Sequence, residues 1–448
     1  MKVFVIGSVV PFARHTQTDV TAVNIVMYEL VVALAALGHK LELQIIFSPA
    51  RVDRSLTMAE TAELANIRAL GVTVLGPVFL IPAPKDSDGG TGYLRRFRLP
   101  VGDDLPPDAI PALQVRAEIC ERIDGFGADV MLAIWSSEGV AATHACLEIP
   151  RIAFQGDVDF APAAARLKDA NLFGLSSNSG TGLRRLVSPL RQSITSLRMR
   201  RAHWNLMQSL DVIANVSANN AAYYGQLGHR RSIYVRNTWS NMDVPDAGLR
   251  EGAWPRDVVD IVGHIGQLGR TGSTYGLRFL LTEVMPQLEL RMENVDYRVN
   301  IVGGGEVTPG LRPYLNHPNI ARRGYVADLD EFLIASDMLL LLNNAGRYWA
   351  AYTRHILAWS LGLCLIVHAN SAQAIPEIEH MENALVGSTS EEVAEMIFLA
   401  STDSALNARI RQGGRATYEK YFTPAKVAAA LSDEFAHSIA VHGHVAHA

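Results

Sequence analysis

The sequence predicts an α/β protein of two lobes, each a doubly wound parallel sheet, facing one another across a cleft. Three observations predict it. Short apolar runs alternate with amphipathic stretches along the chain, the pattern of strands covered on both faces by helices. The alternation occurs twice, on either side of a polar, proline-containing break at residues 236–248. The length, 448 residues, suits two domains of about 200 residues each.

The first series opens with a buried strand at Val3-Ile6. In Thr21-Leu37 apolar residues recur at helical spacing (Val23, Val26, Met27, Leu30, Val31, Leu34), and Gly38 stops the helix. Strands follow at Leu41-Phe47, Val72-Leu75, Val130-Ile134, Arg151-Phe154, Val212-Val216 and Ser232-Val235. Segment 78–110, with five prolines and little periodicity, reads as an excursion from this lobe. Segment 175–205, rich in Ser, Arg and Leu, reads as a second insertion or a helical pair. The second series places strands at Val258-Val262, Tyr297-Val302, Ile320-Arg322, Met338-Leu342, Leu363-Val367 and Ala384-Val386. The expected domains are 1–240, 241–425, and a C-terminal helix and tail at 426–448 that can pack back on the first lobe.

Composition narrows the class. The chain is 49% hydrophobic and 19% charged with a formal net charge of −5, which gives no global basic bias toward nucleic acid. Cys120, Cys146 and Cys364 are far apart and form neither a zinc spacing nor a disulfide framework, so a reducing cytoplasm is expected. The apolar start, MKVFVIGSVVPF, is too short for a leader and fits a first strand better. No run reaches the ~18 apolar residues of a membrane span. One basic stretch, with Arg191, Arg198, Arg200 and Arg201 among Leu190, Ile194, Leu197 and Trp204, suits peripheral contact with the inner face of an anionic membrane. A solvated helix face over a core reads the same way.

Two segments carry chemistry. Gly266-Gln-Leu-Gly-Arg-Thr-Gly-Ser273 follows a strand and precedes a helix. Small residues there (Gly266, Gly269, Thr271, Gly272, Ser273) let backbone amides approach a phosphate, and Arg270 can grip it. Gly324 to Glu377 reads as helix, apolar strand, small-residue loop at Asn343-Ala345-Gly346, helix Tyr352-Leu361, then strand. That layout also turns a helix N-terminus, with Thr353 and Arg354, toward a cleft.

In order and spacing these strings resemble the GT-B glycosyltransferases of retaining family four (group 1). ELVVALAALGHKLEL, LDVIANVSANNAAYYGQLG, VGHIGQLGRTGSTYGLRFLLTEVMPQL, IVGGGE and PEIEHMENALVG all fall in the family's order, and the resemblance spans nearly the whole chain. It implies a metal-independent, retaining transfer of sugar from a nucleotide-diphosphate sugar, without cofactor, to a glycan, lipid or small-molecule acceptor. It also implies that base and ribose lie near Gly324-Tyr325 and the 343–354 segment, with Asn343 and Thr353 as donor contacts. Arg270 and Arg354 become the cations for the leaving diphosphate, Asp157 a cleft residue in a catalytic role, and Glu377 a contact to the donor sugar. Thr16, Gln17 and Glu138 fall on the acceptor side. Asp157-Val-Asp159 has a metal motif's spacing, but the resemblance argues against that role.

The departures are specific. The family's two glutamates fall on Trp349 and Leu357, and its phosphate-loop Arg and Lys fall near His264 and Tyr275. Leu357 cannot bind ribose hydroxyls. Two other readings therefore stand beside the transferase: a degenerate GT-B scaffold partnering an active enzyme, and a nucleotide-sugar epimerase. Base, sugar, acceptor and oligomeric state are left open.

Overall fold

A computed structural model of the chain describes residues 1–14, 21–48, 51, 53, 55–81, 110–144, 148–158, 160–174, 183–242, 257–345 and 353–445. Its first sheet contains β1 (Lys2–Gly7), β2 (Lys40–Phe47), β3 (Thr73–Val74), β4 (Val78–Phe79), β5 (Val130–Ile134), β6 (Arg151–Gln155), β7 (Val212–Asn215) and β8 (Ser232–Tyr234). The second contains β9 (Val259–Ile265), β10 (Tyr297–Val302), β11 (Ile320–Gly324), β12 (Met338–Leu341), β13 (Leu365–His368) and β14 (Leu385–Gly387).

The first sheet runs β3-β2-β1-β5-β6-β7-β8, with β4 on β2, and the second runs β11-β10-β9-β12-β13-β14. Pairings such as Val3 with Leu41 and with Val130, or Leu339 with Leu365, are parallel. Chain order reverses between β1 and β5 in one sheet and between β9 and β12 in the other. Ligands of open parallel sheets bind at the strand C-termini beside such reversals.

The strands form because their side chains are apolar on both faces, so burial outweighs any alternative. Val130–Ile134 and Arg151–Gln155 are buried throughout. The Ala22–Ala36 helix lays Val26, Met27, Leu30, Val31 and Leu34 on the first sheet, all fully buried. Removal of such a side chain from water contributes roughly 1.5–3 kcal/mol.

Two expectations need correction. Segment 78–110 does not leave the lobe at its start: Val78–Phe79 pairs with Ile46 and Phe47, and Phe79 stacks on Phe47 at 4.9 Å. Residues 82–109 lie outside the described residues. In 175–205, the described part is one helix, Leu183–Gln208, rather than a pair.

The C-terminal helix Pro424–Val445 returns to the first lobe, against the Ala22–Ala36 helix. Glu434 takes both prongs of Arg231 at 2.7 Å, and His39 meets the Ser432 hydroxyl at 2.9 Å. Among the described residues, no helix is long and apolar enough to cross a membrane.

Candidate functional site

The site forms where β9 and β12 separate. At the end of β9, Gly266 adopts φ +100° and Gly303, at the end of β10, φ +129°. A Cβ on Gly303 would lie 1.9 Å from the Gly266 carbonyl oxygen, so two glycine turns press together and no side chain fits. The chain then enters the Thr271–Phe279 helix, whose first residues, Thr271, Gly272 and Ser273, are buried or nearly so. Its cap residue, Arg270, makes no side-chain capping bond. Amides of such a first turn carry partial positive charge and suit an anion.

Across β9 stands the Thr353–Ser360 helix. Arg354 points to the reversal and donates Nη1–H to the Ile265 carbonyl at 3.0 Å. Arg354, His264, Gly272, Ser273, Asn343 and Ser371 line a narrow niche of about 20 Å³. That is room for about one water and too little for a phosphate. His264 is 4% exposed and its Nε2 has no hydrogen-bond partner among the described residues. Burial foremost, with the Arg354 charge second, holds its pKa down at about 3, so it is a neutral imidazole. Asn343 is buried and its side-chain oxygen accepts the Ala345 amide at 3.2 Å.

The first lobe reaches across the cleft onto this loop. From the Ala161–Lys168 helix, Arg166 donates Nε–H to the Thr271 hydroxyl and Nη2–H to the Gly269 carbonyl, each at 2.9 Å. Tyr275 donates its hydroxyl to the Asp169 carboxylate, and the same oxygen lies 3.3 Å from the Ala165 carbonyl. Arg14 pairs with Asp330 across the lobes, both largely buried. The resulting cleft contains a cavity of about 620 Å³ between the two lobes, floored on the second-lobe side by Tyr275, Arg278, Asn344 and Ala345.

At the other reversal, Ser8 after β1 contacts the Ser136 hydroxyl at 2.5 Å and donates to Glu138 at 2.8 Å. Between them Trp135 adopts φ +43°, a conformation that costs a bulky residue energy and recurs at functional sites. Its indole N–H is buried without a partner among the described residues. Glu138 thus stands in a polar cluster at the strand C-termini of the first lobe. Asp157 follows β6 at the same edge and is half-buried.

Arg354, Gly266, Gly269, Thr271, Gly272, Ser273, Asn343 and Thr353 are brought to one edge of the second lobe. Tyr325, just past β11, is 62% exposed. Two assignments are not supported by the geometry. Arg270 turns outward and is exposed, so it does not pair with Arg354; the guanidinium on the loop is that of Arg166. Glu377 accepts from Arg236 at 2.6 Å and from Tyr234 at 2.8 Å and lines a separate cavity with Glu379 and Lys420. Its carboxylate is 9% exposed and engaged by these two partners. Thr16, Gln17, Asp159 and Trp349 lie outside the described residues. Leu357 is buried in the apolar core.

Arg166, Ser8, Trp135 and Arg14 were not singled out from the sequence. Arg166 sits in an ordinary alanine-rich helix, and only the approach of the second lobe gives it a partner. Trp135 carried a signal in hindsight, an aromatic residue between an apolar strand and a Ser-Ser helix start, but positive φ is not written in residue type.

Residues 260–403 match the family described as Glycosyl transferases group 1. Among solved structures, the chain is similar to HepE of Anabaena in complex with UDP and glucose, at 14% identity and TM-score 0.55, over 97% of this chain and 99% of that one. It is similar to sucrose-phosphate synthase of Thermosynechococcus elongatus, at 12% identity and TM-score 0.58, over 98% and 100%. A glycosyltransferase of Rickettsia africae aligns at 11% identity and TM-score 0.54, over 98% of each chain. At these identities the likeness is one of fold. No curated protein sequence matches the chain. The chain therefore has the GT-B fold of two parallel-sheet lobes, and residues 260–403 of its second lobe match the group 1 glycosyl transferase family model.

Proposed function

We propose that the chain moves a sugar from a nucleotide-diphosphate sugar to an acceptor held in the interlobe cleft. The observation that carries this is Arg354, set at the β9–β12 reversal beside the buried helix start Thr271-Gly272-Ser273. A leaving diphosphate develops charge as the glycosidic bond breaks. A fixed guanidinium and first-turn amides stabilise that charge without a reorganisation cost. Arg166 supports the same loop from the opposite lobe. With His264 neutral and Tyr275 turned to Asp169, Arg354 is the main cation of the niche. Tyr325, exposed beyond β11, suits stacking with a base. Because the HepE structure contains UDP, a uridine nucleotide is the first ligand to test. Metal independence and retention of configuration belong to the same proposal and rest on family likeness.

The buried Leu357 in a family glutamate's place favours the scaffold reading. Calorimetric titration with UDP, GDP and ADP separates the two. Saturable binding of one nucleotide, lost in Arg354→Ala, supports the transferase. Absence of binding by all three supports the scaffold.

A further inference from the structure

We infer that the 620 Å³ interlobe cavity binds the acceptor, and that this acceptor is an amphiphile: an anionic headgroup, phosphate or carboxylate, on an apolar body. The role as acceptor rests on the transferase reading; the chemistry of the ligand rests on the cavity alone.

The volume falls within the roughly 300–1,000 Å³ of small-molecule sites. Two kinds of wall meet in it. Val158, Phe160, Ala161, Ala164 and Tyr223 present apolar and aromatic surface from the first lobe. Among the described residues, Lys168, Arg200 and Arg278 bring three cations against one acid, Asp169. That acid is engaged: its carboxylate accepts the Tyr275 hydroxyl. Arg278 spends one edge on Glu283 at 2.9 Å. Arg200 lies over the Tyr223 ring, 5.6 Å from its centre, which holds the guanidinium at the boundary between the apolar and charged walls. Lys168 is exposed at the rim. Arg200 is exposed as well, so water already solvates these two cations; a neutral sugar gains nothing from them, whereas an anion gains charge-assisted contacts. An anion with an apolar tail satisfies both walls at once.

The position fits transfer. Asn344 and Ala345 line the cavity, and the preceding residue, Asn343, lines the Arg354 niche. An anionic headgroup oxygen in the cavity therefore stands next to the niche, where it can bond to the anomeric carbon of the donor as that carbon's bond to the diphosphate breaks and the nucleoside diphosphate departs.

The test titrates the full chain with dodecyl phosphate, laurate and neutral dodecyl maltoside below their micellar concentrations, with and without saturating UDP. Anionic probes are expected to bind at least about tenfold more tightly than the neutral one. The relative affinity of phosphate and carboxylate then assigns the headgroup. The double variant Lys168→Glu, Arg200→Glu is expected to lose about tenfold or more in anionic-probe affinity while UDP affinity and melting temperature hold. Equal binding of the neutral probe, an unaffected double variant, or displacement of dodecyl phosphate by UDP would overturn the inference. UDP binding without amphiphile binding defeats this inference alone, whereas amphiphile binding without any nucleotide binding defeats the transferase reading alone.

Discussion

Arg166 of the first lobe donates its Nε–H to the Thr271 hydroxyl of the second at 2.9 Å. A hydroxyl that accepts this bond keeps its own proton to donate, and Thr271 opens the helix that faces the proposed diphosphate. The contact thus links closure of the two lobes to the polarity of the phosphate loop. Arg166→Ala is expected to weaken UDP binding several-fold, since a charge-assisted bond contributes about 1.5–3 kcal/mol at most and Arg166 is half-exposed. Small-angle scattering should show a larger radius of gyration in the variant. Unchanged scattering and affinity would remove Arg166 from the account.

Tyr275, near the family's phosphate-loop lysine on the resemblance, bonds Asp169. Burial, then Asp169, pushes its pKa up, so it is a neutral donor at all working pH values. Tyr275→Phe should lower stability by about 1 kcal/mol, the usual worth of one hydrogen bond. Tyr275→Lys should keep an interlobe pair with Asp169 and leave UDP affinity near wild type. A large gain in UDP affinity would mean that the lysine has turned to the phosphate.

His264 gives a pH dependence of defined sign. Its folded pKa, about 3, lies below the ordinary 6.5, so the unfolded chain takes up a proton that the folded one refuses. The neutral-histidine contribution is intact above pH 6.5 and is lost as pH falls toward 3, at up to about 1.4 kcal/mol per pH unit. Between pH 7 and pH 5 the wild type should lose about 2 kcal/mol more than His264→Asn. Urea titrations of both proteins at the two pH values measure it; parallel losses would contradict the buried neutral imidazole.

Glu377 holds Tyr234 and Arg236 together beside the crossover between the lobes. Arg236 is 40% exposed, so the pair is partly screened. Glu377→Gln should cost about 1–2 kcal/mol of stability and leave UDP affinity intact. A loss of UDP affinity at unchanged melting temperature would return Glu377 to the donor site.

The strands were legible because parallel strands buried on both faces are written as unbroken apolar runs. Val130–Ile134 and Tyr297–Val302 match residue for residue. Val78–Phe79 was hidden, since a two-residue edge strand leaves no periodicity and prolines follow it. Site residues divide by cause. The placement of the glycine loop and Arg354 at the strand ends of the second lobe was readable, because local chain geometry alone presents them; their binding role is part of the proposal. Arg166 and the Tyr275–Asp169 pair were not, because they depend on which helix of one lobe meets which helix of the other. Arg270 misled because a loop arginine has the right chemistry, while its direction is set by the cap conformation, φ −69° and ψ 151°. Glu377 misled because the Tyr234–Arg236 partners come from 141 or more positions away in sequence.

The central claim is that Arg354 grips the leaving diphosphate. Calorimetric titration of UDP into wild type and Arg354→Ala tests it most directly. A loss of roughly 10- to 100-fold in UDP affinity is expected, with melting temperature nearly unchanged. Equal affinity in the two proteins would contradict it.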